Sequence, residues 1–156
     1  MKVAIITANT AVYKETEENK SGEVIKRFAE DADLDIMFMR ALPLDRTVLS
    51  TVMQRMCDAM LTDIILVTGG AACGVEDETP EASMDVIEKT IPGIPEEIRA
   101  QLKAMGKPAM EFRGVAGTKN GILIVNLPET PDAVETCLAN MLPDIMHMAD
   151  MIKGEV

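Results

Sequence analysis

Three short runs, Val3–Ala8, Asp35–Leu42 and Ile64–Val67, are largely apolar, and the stretches between them carry apolar residues at helical spacing. Runs of this length are strands, and their nearly continuous apolar character means that both faces are covered. Apolar strands alternating with amphipathic helices build a mostly parallel sheet between helical layers. The expected fold class is therefore α/β, a three-layer sandwich. At 156 residues it forms one domain, 1–156, large enough to bury a core.

The rest of the chain follows the same rhythm. Ser21 is the expected cap of a helix over 21–32, with Val24, Ile25 and Phe28 on one face. Pro43 opens a helix through about Met60, carried by Val48, Leu49, Val52, Met53 and Met56. Pro80 starts a helix over 80–89, Pro92-Gly93 ends it, and another spans 95–105. Asn120-Gly121 is a strong hairpin signal between strands 112–117 and 121–127. Pro131 begins a last helix to about Lys153, which Pro143 should kink or split. Its apolar residues, from Ala133 to Ile152, exceed what one sheet face needs, unless that face of the core is broad.

Composition narrows the function. The net charge of −11 argues against a nucleic-acid backbone as partner, and the absence of Trp with only one Tyr and three Phe removes stacking platforms for single strands. No run reaches the ~18 apolar residues of a membrane span, and MKVAIITA has the character of a strand, not a signal peptide, so the expected location is cytoplasmic. Cys57, Cys73 and Cys137 have neither disulfide nor zinc spacing; Cys57 and Cys137 are expected as buried thiols. The single His147 lies in an apolar pattern and is expected to be structural, and Met53, Met56, Met60, Met141 and Met148 to fill the core.

The candidate site is Thr68-Gly69-Gly70, where the third strand ends. Ligands of open α/β sheets sit outside the carboxyl ends of the strands, and glycines there let backbone N–H groups approach an oxyanion. Asp77 follows next to the helix start Thr79-Pro80-Glu81 and would either hold a cation or ligand hydroxyl, or cap free N–H groups. The loop is neither GxxxxGK[ST] nor GxGxxG, which disfavours an ordinary P-loop or dinucleotide site.

These segments, taken together, resemble the molybdopterin-binding family that includes bacterial molybdopterin adenylyltransferase (Mog), its MoaB relatives and the gephyrin G domain. The resemblance rests on Ile5–Ala8, Ser21-Gly22, Thr68–Gly70, Asp77 with Thr79–Glu81, PGIPEEIR at 92–99, RGVAG at 113–117 and LIVNLPETP at 123–131. It implies a cytoplasmic homotrimer with molybdopterin at the strand ends and AMP transfer from Mg-ATP to the terminal phosphate of molybdopterin. By this likeness Thr68, Gly69, Gly70, Ser21, Gly22, Arg113 and Pro128 bind the cofactor, and Asp77 is catalytic and a metal ligand.

The departures cluster at the strand ends. Ala71 and Ala72 stand where the family has Thr and Gly, Asn9-Thr10 replaces Ser-Asp, and Phe112 replaces a Ser. Leu44 follows Pro43 where a second acid is expected; Asp45 replaces that acid only if the loop shifts by one residue. Glu129 puts a charge where the family keeps Gly, which disfavours a nearby phosphate by about 1 kcal/mol or more. The primary reading is a molybdenum cofactor biosynthesis protein resembling molybdopterin adenylyltransferase. The alternatives are a non-catalytic pterin- or nucleotide-binding homologue, favoured by Leu44 and Glu129, and a nucleotide-processing relative of the competence-damage type.

Overall fold

A computed structural model describes residues 1–155. In chain order the elements are β1 (Lys2–Ala8), α1 (Thr10–Tyr13), α2 (Lys20–Asp31), β2 (Asp35–Leu42), α3 (Arg46–Asp58), β3 (Ile64–Thr68), α4 (Thr79–Met84), β4 (Lys89–Thr90), α5 (Gly93–Ala104), a 3₁₀ turn (Ala109–Glu111), β5 (Ala116–Lys119), β6 (Ile122–Leu127) and α6 (Pro131–Ile152). The sheet order is β2-β1-β3-β6-β5-β4. β2, β1, β3 and β6 run parallel, while β5 is antiparallel to both neighbours. The expected α/β architecture is what forms.

Period-two alternation divides the core. Val3, Ile5, Ile64, Leu66, Leu123 and Val125 pack beneath α2, α5 and α6. Ala4, Ile6, Ile65, Val67, Ile122 and Ile124 meet α3 and α4 on the other face. β1, β3 and β6 are therefore buried on both sides, which accounts for their apolar runs. β2 is an edge strand, so Met37 stays exposed.

Several local expectations are corrected. α2 is capped by Asn19, whose Oδ1 accepts from the Gly22 N–H at 3.1 Å, not by Ser21. α3 starts at Arg46 instead of Pro43, because Asp45 is its extended N-cap and accepts from Val48 N–H at 3.0 Å. α4 ends at Met84, short of the expected 89. The first hairpin strand begins at Ala116, not 112, and Asn120 and Gly121 both adopt left-handed φ, as a tight hairpin requires. Pro143 does not split α6: it lies on the exposed side, as does Ala139, so the carbonyl that loses its N–H partner is on the solvent-facing side of the helix. Met60 is exposed just beyond α3, and His147 is exposed on α6.

The apolar face of α6 is consumed internally. Val134, Leu138, Leu142 and Ile145 are buried in the chain's own core, with Met148 and Ile152 partly buried against it. Outside that core α6 leaves Met151 exposed, and Met146 and Pro143 beside a shallow surface groove.

One polar pair ties the antiparallel edge to the parallel centre. Asn126 is buried in β6; its Oδ1 accepts from Val115 N–H at 3.1 Å and its Nδ2 donates to Ser83 Oγ of α4 at 2.9 Å. Asn126→Ala should lose about 1–3 kcal/mol, because it removes the partner of a half-buried N–H and leaves the buried Ser83 hydroxyl only a weak contact with Met53 Sδ. Urea unfolding with an unchanged m-value would measure it.

Candidate functional site

The carboxyl ends of β1, β3 and β6 converge on one end of the sheet. β3 leaves the sheet through Gly69 (φ +94°) and Gly70 (φ +70°). A Cβ on Gly69 would lie 2.5 Å from the Ala8 carbonyl oxygen, and one on Gly70 would meet the Thr79 hydroxyl and Leu44. Both the dihedrals and the crowding demand glycine. The turn is locked: Thr79 Oγ1 donates to Gly69 O at 2.8 Å, and Thr79 N–H to Gly70 O at 3.0 Å. Thr68 Oγ1 reaches across to Pro128 O at 2.6 Å, and Ser21 Oγ donates to Glu129 O at 2.5 Å. Two hydroxyls from β3 and α2 thus anchor the segment after β6.

Around this anchor lies a cleft of two lobes. The polar lobe, about 270 Å³, is walled by Thr7, Asn19, Lys20, Ser21, Thr68 and Gly69, with Glu17 and Glu18 on its rim. The apolar lobe, about 190 Å³, is lined by Ala71, Ala72, Leu102, Phe112, Pro128 and Ala133. Glu129 and Thr130 belong to both and form the seam between them. Each lobe alone is smaller than the ~300–1,000 Å³ of typical small-molecule sites, so a ligand of that size would have to span both.

The sequence-selected residues divide. Thr68, Gly69 and Ser21 wall the polar lobe and Pro128 the apolar one. Gly70 supports the turn; Gly22 lets Asn19 sit against the first turn of α2. Arg113 is spent inside the protein: Nε donates to Ala72 O at 2.8 Å, Nη2 to Asp77 O at 2.8 Å, and Nη1 and Nη2 form a fork on Glu81 at 3.0 and 2.9 Å. It clamps the glycine loop onto α4. This pairing, chiefly its hydrogen bonds, holds the Glu81 carboxyl below its usual range.

The two acids at issue, and the leucine at the expected acid position, have distinct fates. Asp77 Oδ2 accepts from Gly74 N–H at 2.8 Å and so caps its own loop, not the helix α4, which has no side-chain cap. Asp45 is committed to the α3 cap, and Leu44 lies against Gly70 where the second acid was expected. Among the described residues no group of three or more His, Cys, Asp or Glu is placed to hold a metal ion. Ala71 and Ala72 are not among the residues with left-handed φ, so the loop has no need of glycine there; Ala71 is buried in the core. Phe112 has also become core, its ring lying on Gly114.

Glu129 is the anomaly. Its carboxyl is pushed above the ordinary value, first by burial and then by the carboxylates of Asp77 and Glu17. Thr7, Glu17, Lys107 and Thr130 were not singled out from sequence; Thr7, a polar residue at the end of an apolar strand, carried a usable signal. Cys57 and Cys137 are buried with thiols pushed up to about 11, chiefly by burial, and Cys73 is exposed.

The fold and cleft define a class: three-layer α/β proteins that hold a small molecule at the strand ends of a mostly parallel sheet. A family profile described as a probable molybdopterin binding domain matches residues 4–147, and the chain belongs to that family. It is 30% identical to a molybdopterin adenylyltransferase of Helicobacter pylori strain J99, over 97% of this chain and 88% of the relative. Among solved structures it is similar to the molybdopterin biosynthesis Mog protein of Mycobacterium ulcerans (27% identity, TM-score 0.89, 98% and 97% of the two chains). It is likewise similar to the molybdopterin biosynthesis enzyme MoaB of Thermus thermophilus (25% identity, TM-score 0.90, 98% and 96%).

Because the folded state raises the Glu129 pKa above its unfolded value of ~4.3, this group costs no stability below that pH and weakens the fold as pH rises through the folded pKa. Glu129→Gln should therefore raise Tm at pH 7, only slightly because the side chain is exposed to screening solvent, and the gain should vanish near pH 4. Thermal melts of both proteins at the two pH values test the sign.

Proposed function

We propose that this chain acts in molybdenum cofactor biosynthesis by binding molybdopterin, a phosphorylated pterin, in the two-lobed cleft beside the Gly69-Gly70 turn. The observation that carries the reading is the locked turn itself, in a chain that matches the molybdopterin-binding family over residues 4–147. Left-handed glycines at a strand end bring main-chain amides close to a ligand anion without a side chain between them. Lys20 is the cation on the polar wall and, among the described residues, forms no ion pair.

The relatives named molybdopterin adenylyltransferase suggest AMP transfer from Mg-ATP to molybdopterin. Positioning two anions in such a transfer calls for charge neutralisation, which carboxylate-held magnesium would supply. The residues present do not assemble such a site: Leu44 is apolar, Asp45 caps α3 and Asp77 caps its own loop. This favours the second reading, a member of the family that holds the pterin and transfers AMP poorly or not at all. The proposed form is a cytoplasmic homotrimer; because α6 buries its apolar face internally, the trimer rests on the family likeness alone.

Calorimetry separates the readings. Molybdopterin is expected to bind, with the nucleotide adding little and AMP transfer at least about a hundredfold below that of a competent relative, the scale of losing a transition-state charge partner. Failure of molybdopterin to bind overturns the proposal, and binding of a nucleotide alone points to the nucleotide-processing alternative. The fourfold variant Leu44→Asp, Ala71→Thr, Ala72→Gly, Glu129→Gly should gain transfer; no gain would mean that the deficit lies elsewhere. Light scattering at micromolar concentration is expected to give three times the 16.9 kDa chain mass, and a monomer refutes the trimer.

A further inference from the structure

Glu129 is arranged unlike the other acids of the cleft. Asp77 and Asp45 cap backbone N–H groups, and Glu81 is forked by Arg113. The Glu129 carboxylate is exposed and takes part in none of the side-chain hydrogen bonds or ion pairs of the described residues; the charges that act on it most are those of Asp77 and Glu17, both acidic, while Lys20 and Lys107 line the lobes on either side. Its backbone is fixed nonetheless, because Ser21 holds its carbonyl and Thr68 that of Pro128. An acceptor held between two lobes, with its backbone anchored from both sides, is poised for donors brought by the ligand.

The apolar lobe says what the donors are attached to. Its walls are Ala71, Ala72, Leu102, Phe112, Pro128 and Ala133, surfaces for a flat, weakly polar body. Its one lysine, Lys107, is engaged by Asp132 at 3.0 Å and Thr130 at 3.4 Å, which leaves no free cation there for a phosphate. The free lysine, Lys20, and the glycine turn belong to the other lobe. A phosphorylated heterocycle would therefore lie with its ring in the apolar lobe and its phosphate in the polar one.

We propose that Glu129 is a specificity-determining residue that reads the N–H edge of that ring, selecting a heterocycle with two adjacent N–H donors, such as a 2-amino-4-oxopyrimidine edge. A carboxylate offers two parallel acceptor oxygens, and such an edge offers the matching pair of donors, the geometry by which carboxylates take a guanidinium fork. A phosphate at the same spot meets three acids. The inference rests on the reading of the cleft as a pterin site and adds the ring's orientation and the residue that recognises it.

The experiment uses the full chain and two fluorescent probes, pterin and lumazine (the 2,4-dioxo analogue, with an oxygen in place of the 2-amino group). The wild-type protein should bind pterin at least about tenfold more tightly than lumazine, because lumazine turns an oxygen toward the carboxylate. Glu129→Gln, which presents one acceptor and one donor, should narrow or reverse that ratio, and Glu129→Gly should abolish the preference. A wild-type protein without the preference, or a Gln variant whose ratio stays within twofold of wild type, overturns the proposal. A parallel titration with molybdopterin keeps the two readings apart. Molybdopterin binding without pterin–lumazine discrimination sinks this inference alone. Discrimination without molybdopterin binding supports it and sinks the function proposed above.

Discussion

The Thr79 side chain is the tie on which the site depends. It is fully buried, and through its hydroxyl and its amide it holds the carbonyls of Gly69 and Gly70. Those two residues adopt a backbone that an L side chain resists, so the turn exists only while something outside it holds it. Loss of these bonds would strand buried carbonyls and free the end of β3 from the start of α4. The cleft is therefore as rigid as the core beneath it, since the same atoms close the turn and begin the helix.

That rigidity extends around the rim. Thr68 and Ser21 hold the segment after β6, and Arg113 fastens the glycine loop to Glu81 and to the carbonyls of Ala72 and Asp77. Polar groups that a ligand might have been expected to use are occupied by the protein. A cleft built this way gives up direct side-chain contacts but loses little entropy on binding, because its walls are already ordered. The groups left for a ligand are few: the carboxylate of Glu129, the ammonium of Lys20 and the amides of the turn.

Most of the fold was legible in the sequence because β1, β3 and β6 are central strands with both faces covered, and such strands can hardly be written in other residues. Boundaries were less legible where two capping residues competed. Asn19 and Ser21 both suit an N-cap, and only the tertiary hydrogen bond from Ser21 to Glu129 decides between them. Asp45 was visible as an acid next to the expected position, but not as the cap that commits it. Arg113 was legible as a residue of the site, yet its four side-chain hydrogen bonds go to three residues, Ala72, Asp77 and Glu81, in a distant stretch of chain that no local pattern brings to it. Whether the loop needs glycine at Ala72 is illegible for a similar reason: it depends on the path of the chain, and here the path turns at Gly69 and Gly70 and then relaxes.

The position of Leu44 shows how one change propagates. An acid following Pro43 would face the turn; a leucine there packs against Gly70 and joins the apolar cluster on that face of the sheet. With the space beside the turn filled by a methyl group, a cation has lost both a ligand and room. Asp45, one residue on, is held by the first turn of α3 and would have to release the Val48 N–H to compete for a cation, exposing a helix end that its cap now satisfies. Glu129 enters the same region from the opposite wall and meets Asp77 and Glu17. Compared with the acid and the glycine that the family resemblance implies at 44 and 129, this chain has a leucine beside the turn and a carboxylate at the seam of the two lobes. An exchange of that kind moves the place where the cleft prefers positive or N–H-bearing chemistry from the phosphate end of a ligand toward its ring.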